Sequence, residues 1–398
     1  MYQKGDMTVK EELLRRVEAL SPQFYPISDY IFDHPELGYQ EHEACRVLTR
    51  LLSQSGFQVE TGVGGIPTAF RAVYEYGTGG PSFGLLCEYD ALEGLGHGCG
   101  HHMQGPALIL CAEAFRSAVT DLPYRLVVYG TPAEETAPAK LDMWNNGCFR
   151  DIDLALMTHA SVESAVDQNS LAQVKLNVTF HGKSAHAAMF PERGRSAFDA
   201  LQLTFHGVEL LREHVQDDVR MHYTCTDAGG PANVVPARAS GEFVLRSRYS
   251  MTYLEEIRDR FRDIVKGAAL MSGVTYEIQE GPMWPNKIPA LVLNEVVMKN
   301  AKEVGAPDLA PPRERPGSTD FSAVMYHLPG CCLRIKYVDK PVTSHTPAFA
   351  AAGKTEQAHR AILLSAQALA GTCWDILHDS ALLPRIQSDY ADSRTRFL

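Results

Sequence analysis

Short, almost continuously apolar segments alternate with longer helical segments in the first part of this chain, and this alternation constrains the fold more than any other feature. The segments FGLLCEY (83–89), RLVVY (125–129) and DLALM (153–157) carry polar residues only near their ends. Strands of this kind are covered on both faces, as in parallel sheets. A helical pattern from about 105 to 118 separates the first two. The sequence therefore predicts an α/β domain around a mainly parallel sheet with helices on both faces.

The pattern changes near residue 172, where polar and apolar residues begin to alternate. The following segment predicts the order β-α-β-β-α-β, which is typical of a ferredoxin-like α+β domain. A helical pattern returns at about residue 288. We therefore expect a discontinuous domain, residues 1–172 and 287–398, that carries an inserted domain, residues 173–286. The strands predicted for the insert cover residues 174–180, 219–226, 241–249 and 274–279, and its helices cover 196–214 and 253–270.

Side chains that bind metals or move protons follow the predicted strands of the α/β domain. Asp90 closes the first strand, and the glycine-rich turn GLGHGCGHH (94–102) comes directly before a helix. Glu134 and Glu135 follow the second strand, and His159 follows the third. In open α/β sheets, ligands bind outside the carboxyl ends of the strands. The sequence thus places separated histidine, cysteine and glutamate residues around one cleft.

A metal site is the economical explanation of this set. Thiolate, imidazole and carboxylate together favour zinc or a neighbouring transition metal over calcium or magnesium, and manganese or cobalt remain alternatives. Cys99 and His101 lie two residues apart on a flexible turn, so both can point inward. The adjacent carboxylates of Glu134 and Glu135 permit two duties, since one can bind metal while the other accepts a proton from water as general base.

Six motifs extend the pattern over nearly the whole chain. They are CEYDALEGLGHGCGHH, TPAEET, MTHA, GKSAHAA, NVVPA and SHTPAFA, in this order. Together they resemble the M20 family of metallopeptidases and amidohydrolases, especially the branch with aminoacylase-1-like proteins and p-aminobenzoyl-glutamate hydrolases. The resemblance implies an α/β catalytic domain that binds two divalent metal ions, most often zinc, and an inserted lid domain through which two chains form a homodimer.

The resemblance also implies roles for individual residues of the catalytic domain. Glu134 is the expected general base, and Asp90 is expected to orient a metal ligand. His102 stands where relatives usually have Asn or Asp, so it either adds a ligand, replaces a hydrogen bond or faces a neighbouring side chain. Ser318 and Thr319, in the loop GSTD, match a substrate-cleft segment. The implied metal ligands are Cys99, placed between the two metals, His101, Glu135, His159 and His345.

Three residues of the insert match lid positions of the family. His186 in GKSAHAA and Asn233 in NVVPA are expected to support the developing oxyanion, because such donors stabilise its charge. In dimers of this family the histidine commonly comes from the partner subunit. Arg246 is expected to hold a substrate carboxylate, since arginine binds carboxylates bidentately. Arg248 lies on the same predicted strand face and is an alternative to Arg246.

The predicted function is metal-dependent hydrolysis of the amide bond of a small N-acyl amino acid, a dipeptide or a related amide. One alternative keeps the site and runs the chemistry towards amide formation. A second alternative is a binding protein that keeps the fold without catalysis. The presence of the base and of every implied ligand favours the hydrolase.

Composition excludes several other classes of protein. The net charge of −11 disfavours a general nucleic-acid binder. No apolar run approaches the length of about 18 residues that a membrane-spanning helix needs. The first 20 residues contain no long apolar stretch of the kind that a secretion signal carries. Nine scattered cysteines without a CxxC pair argue for a reducing compartment, so we expect a cytoplasmic protein without membrane or nucleic-acid partners.

Overall fold

The structure is a computed structural model that describes residues 9–248, 250–312 and 317–397. Of the predicted catalytic ranges, residues 1–8, 313–316 and 398 lie outside the described residues. The end of the predicted strand 241–249, at residue 249, lies outside them as well. The described chain forms two compact units, one up to Asn169 and from Lys287 to Arg396, the other from Ser170 to Asn286.

The elements are numbered along the whole chain. The strands are β1 (Gln58–Thr61), β2 (Phe70–Tyr76), β3 (Ser82–Cys87), β4 (Tyr124–Gly130), β5 (Leu154–Ser161), β6 (Ala165–Val166), β7 (Ala172–His181), β8 (Arg220–Asp227), β9 (Arg238–Ser247), β10 (Thr275–Glu280) and β11 (Gly330–Lys336). The helices are α1 (Val9–Leu20), α2 (Tyr25–Asp33), α3 (His42–Gln54), α4 (Gln104–Ala118), α5 (Ala139–Asn145), α6 (Ala197–Leu211), α7 (Met251–Ser272), α8 (Leu291–Glu303), α9 (Ser322–Met325), α10 (Pro347–Ala351), α11 (Glu356–His378) and α12 (Leu382–Phe397).

The first unit is built around a sheet with the strand order β1-β2-β4-β3-β5-β11-β6. The four central strands, β4, β3, β5 and β11, are parallel to one another. The outer strands pair antiparallel, with β1 and β2 at one edge and β6 at the other. The predicted α/β class is confirmed, and the sheet as a whole is mixed because of these edges. The parallel centre brings the carboxyl ends of β3, β4, β5 and β11 to the same side of the sheet.

Helices cover both faces of this sheet, as the continuous apolar strands predict. Helix α4 has buried residues around most of its surface and packs between the strands and the helices α1 and α11. A helix that is apolar all round belongs in a protein interior. On the other face, Leu86 and Val127 pack with Met143 of α5 and with Val324 of α9. Because side chains alternate along a strand, β3 contributes to both layers.

The second unit is a ferredoxin-like α+β unit, as predicted. Its antiparallel sheet has the strand order β10-β7-β9-β8, and helices α6 and α7 pack against it. Alternate residues of β7, from Ala172 to Phe180, are buried in the core between sheet and helices. Strand β8 lies at the edge of the sheet, and most of its side chains are exposed.

None of the helices in the described ranges is long and apolar enough to cross a membrane. All nine cysteines are free thiols. Seven of them are buried, and Cys225 is the exposed one.

Candidate metal centre and active site

The glycine-rich turn after β3 delivers two metal-binding side chains to the carboxyl end of the sheet. Gly100 has a φ of 81°. A Cβ at this position would lie 2.5 Å from the Cβ of Ala160, so the turn requires glycine both for its conformation and for its close approach to β5. Cys99 and His101 flank this glycine, and both are buried. The Sγ atom of Cys99 lies 3.6 Å from Nε2 of His159, at the end of β5.

Cys99, His101 and His159 form a first group of possible metal ligands, with one ligand atom from each within 4.8 Å of the others. Nδ1 of His159 is hydrogen bonded to the carbonyl oxygen of Ala160 at 2.8 Å, so Nδ1 carries the proton and Nε2 has a free lone pair. Burial and the charge of Arg334 lower the pKa of His159 to about 3. The ring is therefore neutral, as a metal ligand must be.

Cys99, Glu135 and His345 form a second group, so Cys99 belongs to both. Nε2 of His345 lies 3.3 Å from Oε1 of Glu135. The backbone N–H of His345 donates to the carbonyl oxygen of Gly98 at 2.9 Å, which ties this distant segment to the cysteine turn. His345 has a left-handed φ of 64°, and its side chain is about half exposed (53%). A thiolate shared by two such groups is suited to bridge two metal ions.

Two buried atoms in the described residues show that this arrangement fits metal ions. Nε2 of His101 and Oε1 of Glu135 have no hydrogen-bond partner, and they lie 3.9 Å apart. A buried polar atom without a partner costs about 1–3 kcal/mol. Binding of His101 to one ion and of Glu135 to a second ion would satisfy both atoms. The mixture of thiolate, imidazole and carboxylate donors is the one that zinc prefers.

The electrostatics of the turn also favour a cation. Burial alone would lower the pKa of His101, but Cys99, Glu88 and Asp90 raise it well above its usual value. Burial raises the pKa of the Cys99 thiol to about 12. The carboxylates of Glu88 and Asp90 therefore account for the raised pKa of His101, because the Cys99 thiol by itself stays protonated. A bound metal ion would supply the positive charge that this place favours and would ionise the thiol.

Asp90 holds residues of both ligand groups. Its Oδ1 lies 3.0 Å from Nδ1 of His101, and its Oδ2 accepts the backbone N–H of Glu135 at 2.8 Å. Asp90 is fully buried. The hydrogen bond to Nδ1 leaves Nε2 of His101 as the atom that can bind a metal.

Glu134 lies next to these groups, and it forms one cluster with His101 and Glu135 and another with Glu88 and Asp320. Burial raises the pKa of Glu134 well above its usual value, and the charges of Glu88 and Asp320 add to this effect. Such a carboxyl group takes up a proton more readily than an exposed one, which suits a general base.

The backbone before Glu134 is held by Glu41, a buried residue directly before helix α3. Ala133 has a left-handed φ of 59°, and its N–H donates to Oε1 of Glu41 at 2.8 Å. The hydroxyl of Thr68 donates to the other oxygen of Glu41 at 3.0 Å. Burial raises the pKa of Glu41 to about 7. This contact fixes the turn that presents Glu134 and Glu135 to the cleft.

A buried ionic network supports the site, and the contacts within it were not predicted from the sequence. Nζ of Lys140 lies 2.6 Å from Oε1 of Glu88 and 2.6 Å from Oδ1 of Asp320. Gln104 donates to the other oxygen of Glu88 at 2.8 Å. Burial alone would lower the pKa of Lys140, but Asp320 and Glu88 raise it. Burial raises the pKa of Asp320 to about 6 despite Lys140.

A cleft of about 270 Å³ opens beside these groups within the first unit. Cys99, Glu134, Glu135, His159 and His345 line it. Ser318 and Thr319, expected from the sequence to contact the substrate, line it as well. Two cationic residues that the sequence did not single out, Lys287 and Arg334, also reach it.

His102 lies apart from the metal-capable clusters of the described residues. Its Nε2 is hydrogen bonded to the carbonyl oxygen of Gly353 at 2.9 Å, and its ring packs edge-on against Phe32 at 5.0 Å. Burial and the neighbouring His97 lower its pKa well below the usual value. Of the three roles considered for His102, these contacts favour the one in which it faces neighbouring residues.

The three lid candidates lie in the second unit. His186 and Asn233 are on neighbouring segments, since the N–H of Ala187 donates to the carbonyl oxygen of Asn233 at 3.0 Å. His186 is exposed, and its Nδ1 accepts the N–H of Met189 at 3.2 Å. Arg246 lies on β9, and its Nε is buried without a hydrogen-bond partner in the described residues. The roles expected for these residues stay predictions.

The fold and this site define a metal-dependent peptidase or amidohydrolase. The chain belongs to the peptidase family M20/M25/M40, whose sequence pattern matches residues 85–367.

Proteins of known function and structure resemble the chain over almost its whole length. It is 32% identical to the Xaa-Arg dipeptidase of Homo sapiens over 94% of this chain and 90% of that protein. It is 30% identical to one of the subunits of p-aminobenzoyl-glutamate hydrolase of Escherichia coli K12 over 94% of this chain and 93% of that protein. The YXEP protein of Bacillus subtilis, a dinuclear metal-binding peptidase of the M20 family, has the same fold, with a TM-score of 0.71, 18% identity, and 90% and 99% of the two chains covered.

Proposed function

We propose that this protein uses two divalent metal ions to hydrolyse the amide bond of a small N-acyl amino acid, a dipeptide or a related amide. The observation that carries the proposal is the sharing of Cys99 between two ligand groups, with Glu134 beside both. Relatives named as a dipeptidase and as an aminobenzoyl-glutamate hydrolase support small amides as the substrate class.

The first ion would be held by Cys99, His101 and His159, and the second by Cys99, Glu135 and His345. When bound, the pair supplies Lewis-acid chemistry that polarises the amide carbonyl and makes water more acidic. The thiolate and imidazole donors favour zinc, with manganese or cobalt as the alternatives.

The residues of the chain then orient the ligands and transfer the proton. Asp90 holds His101 and the backbone of Glu135 in place. A carboxylate oxygen of Glu134 accepts the proton of the attacking water and passes it to the leaving amine. The raised pKa of Glu134 supports this role, because the group has to retain the proton between the two transfers.

The second unit completes the proposal as a lid and dimerisation domain. His186 and Asn233 are proposed to stabilise the oxyanion, and Arg246 to contact a substrate carboxylate. We also propose a homodimer and a cytoplasmic location, which the free thiols support. Light scattering of the purified protein tests the dimer, and a monomer at micromolar concentration would contradict it.

The test is an assay of purified protein of known metal content against dipeptides that end in arginine, p-aminobenzoyl-glutamate and N-acetyl amino acids. We expect hydrolysis of at least one class. Glu134→Gln should keep its metal and lose activity by about 10²–10⁴-fold, because a general base contributes a factor of this size. Glu75→Gln, at an exposed ion pair with Arg125, is the matched control.

Two outcomes would contradict the proposal. Stoichiometric metal without hydrolysis of any amide would indicate a binding protein. Full activity of the Glu134→Gln variant would remove Glu134 as the base. Incubation with the amine and the acid, instead of the amide, separates amide formation from hydrolysis.

A further inference from the structure

A cluster of three charged side chains, Asp167, Lys287 and Arg334, lies at the same cleft, and the proposed hydrolysis does not use it. Nε of Arg334 donates to Oδ2 of Asp167 at 2.8 Å, and Nζ of Lys287 lies 3.5 Å from the same oxygen. The side chains of Asp167 and Lys287 are 3% and 2% exposed, and that of Arg334 is 16% exposed. Both cations line the cleft beside the metal ligands.

The register of the sheet places Arg334 next to a metal ligand. Arg334 on β11 lies opposite His159 on the parallel strand β5, and Cys332 lies opposite Met157. All four residues line the cleft, so their side chains lie on one side of the sheet. Neighbouring strands are about 4.8 Å apart. The Cα atom of Arg334 is thus about one strand spacing away from that of a ligand for the first metal ion.

Asp167 fixes the orientation of the arginine. It accepts a hydrogen bond from Nε, and the guanidinium group carries its other donors on the two terminal nitrogens. Burial alone would lower the pKa of Arg334, but the charge of Asp167 raises it, so the side chain stays cationic. A guanidinium group held in this way can bind a carboxylate through two parallel hydrogen bonds.

The remaining charges of the cleft are mostly negative. Glu88, Glu134 and Glu135 line it. Lys287 and Arg334 supply the fixed positive charges of the protein lining. Lys287 lies over the ring of Phe321, with Nζ 5.8 Å from its centre, and presents a second cation to the same cleft.

We propose that Arg334 and Lys287 bind the α-carboxylate of the substrate, with Asp167 as the positioning residue. This inference rests on the proposed function and narrows it to amides whose leaving amine is an amino acid with a free α-carboxylate. In such a substrate three bonds separate the scissile carbonyl carbon from the carboxylate carbon, a span of roughly 4 Å. An anion site for this carboxylate therefore has to lie beside the metal ligands, and the strand register places Arg334 next to His159. Arg334 and Lys287 of the first unit would then bind the substrate carboxylate in place of Arg246 of the second unit.

The experiment compares alanyl-arginine and p-aminobenzoyl-glutamate with their α-carboxamides on wild-type enzyme, Arg334→Gln and Arg246→Gln. We expect the wild type to prefer the free carboxylate by about 10–100-fold in kcat/KM, the range of a lost charge-assisted hydrogen-bond pair. Arg334→Gln should lose this preference through a higher KM for the carboxylate and leave the carboxamide nearly unaffected. Arg71→Gln, which breaks a partly buried ion pair with Asp151 outside the cleft lining, should behave as wild type.

Calorimetry of the same ligands, with Glu134→Gln added to each protein to prevent hydrolysis, provides a readout that does not depend on turnover. Tighter binding of the carboxylate than of the carboxamide, abolished in Arg334→Gln, supports the anion site even if no hydrolysis occurs and the proposed function fails. Equal losses for both ligands, or a preference that disappears only in Arg246→Gln, would overturn the inference. If Arg334→Gln does not fold, Asp167→Asn/Arg334→Gln removes one charge of each sign, and Lys287→Met tests the second cation with the same readout.

Discussion

Asp90 and His101 are joined by a hydrogen bond of 3.0 Å between Oδ1 and Nδ1, in the fully buried floor of the site. The other oxygen of Asp90 accepts the backbone N–H of Glu135. One carboxylate therefore connects the ligand group that contains His101 with the group that contains Glu135. This connection predicts that Asp90, which is not part of the cleft lining, affects the binding of both proposed metal ions.

Asp90→Asn should weaken metal binding by about 10–100-fold, since loss of a partner that orients a ligand has this effect. The amide oxygen of the variant can still accept the hydrogen bond from Nδ1 of His101. Its NH2 group would then face the backbone N–H of Glu135, and two donors cannot form a hydrogen bond. Metal affinity measured by competition with a chelator checks this expectation. Asp153→Asn, which also removes a carboxylate that accepts a backbone N–H, is the control and should bind metal normally. Unchanged affinity of Asp90→Asn would contradict the connection.

His345→Ala should lose one of two metal ions, because His345 belongs to only one of the two ligand groups. His159→Ala should lose the other ion for the same reason. Equilibrium dialysis followed by elemental analysis gives the stoichiometry. His378→Ala, which breaks a pair with Asp121 on the protein surface, should keep both ions. Two ions retained in both ligand variants would contradict the assignment.

Lys140→Met should reduce the free energy of unfolding by about 3–5 kcal/mol, because it leaves Glu88 and Asp320 buried without their cation. Adding Asp320→Asn should restore part of the loss. Urea unfolding of both variants measures the change. Lys354→Met breaks an exposed pair with Asp33 and should cost less than about 1 kcal/mol. A similar small cost for Lys140→Met would show that the network does not stabilise the fold.

Glu41 should make stability depend on pH near neutrality. Burial raises its folded-state pKa to about 7, above the value of an unfolded chain. Its contribution is therefore favourable at low pH and is lost as the pH rises through about 7. Glu41→Gln removes this titration, so the stability of the variant relative to wild type should increase by about 2 kcal/mol between pH 5.5 and 8.5.

Urea unfolding of the metal-free proteins at the two pH values measures this difference. Metal-free protein is used because metal binding has its own pH dependence. Glu113→Gln, at a pair with Arg116, is the control and should show no such change. A relative stability of Glu41→Gln that stays constant or falls with pH would contradict the raised pKa.

The sequence predicts the central architecture and the gathering of the candidate metal ligands at one cleft, because both follow from local patterns. Continuous apolar strands indicate a parallel sheet, and the residues just after such strands meet at one edge. Cys99, Glu135 and His159 are examples. The ferredoxin-like insert is likewise visible in its alternating strands, with β7 as the clearest case.

Other features depend on contacts that no local pattern encodes. Glu88 and Asp320 meet Lys140 from positions 52 and 180 residues away. A buried lysine looks like a surface lysine in the sequence. The orientation of His102 depends on Gly353, 251 residues further along the chain. Two sequence features indicated the buried network. They are Lys140 in the mostly apolar stretch TAPAK and Glu88 near the end of the apolar strand FGLLCEY.

The proposed metal centre requires the Cys99 thiolate to bind metal ions together with histidines and a glutamate. The absorption spectrum of the cobalt-substituted protein tests it most directly. We predict a charge-transfer band from thiolate to cobalt that Cys225→Ser, at the exposed cysteine of the second unit, retains and that Cys99→Ser lacks. The same band at full intensity in Cys99→Ser would show that the Cys99 thiolate does not bind the metal.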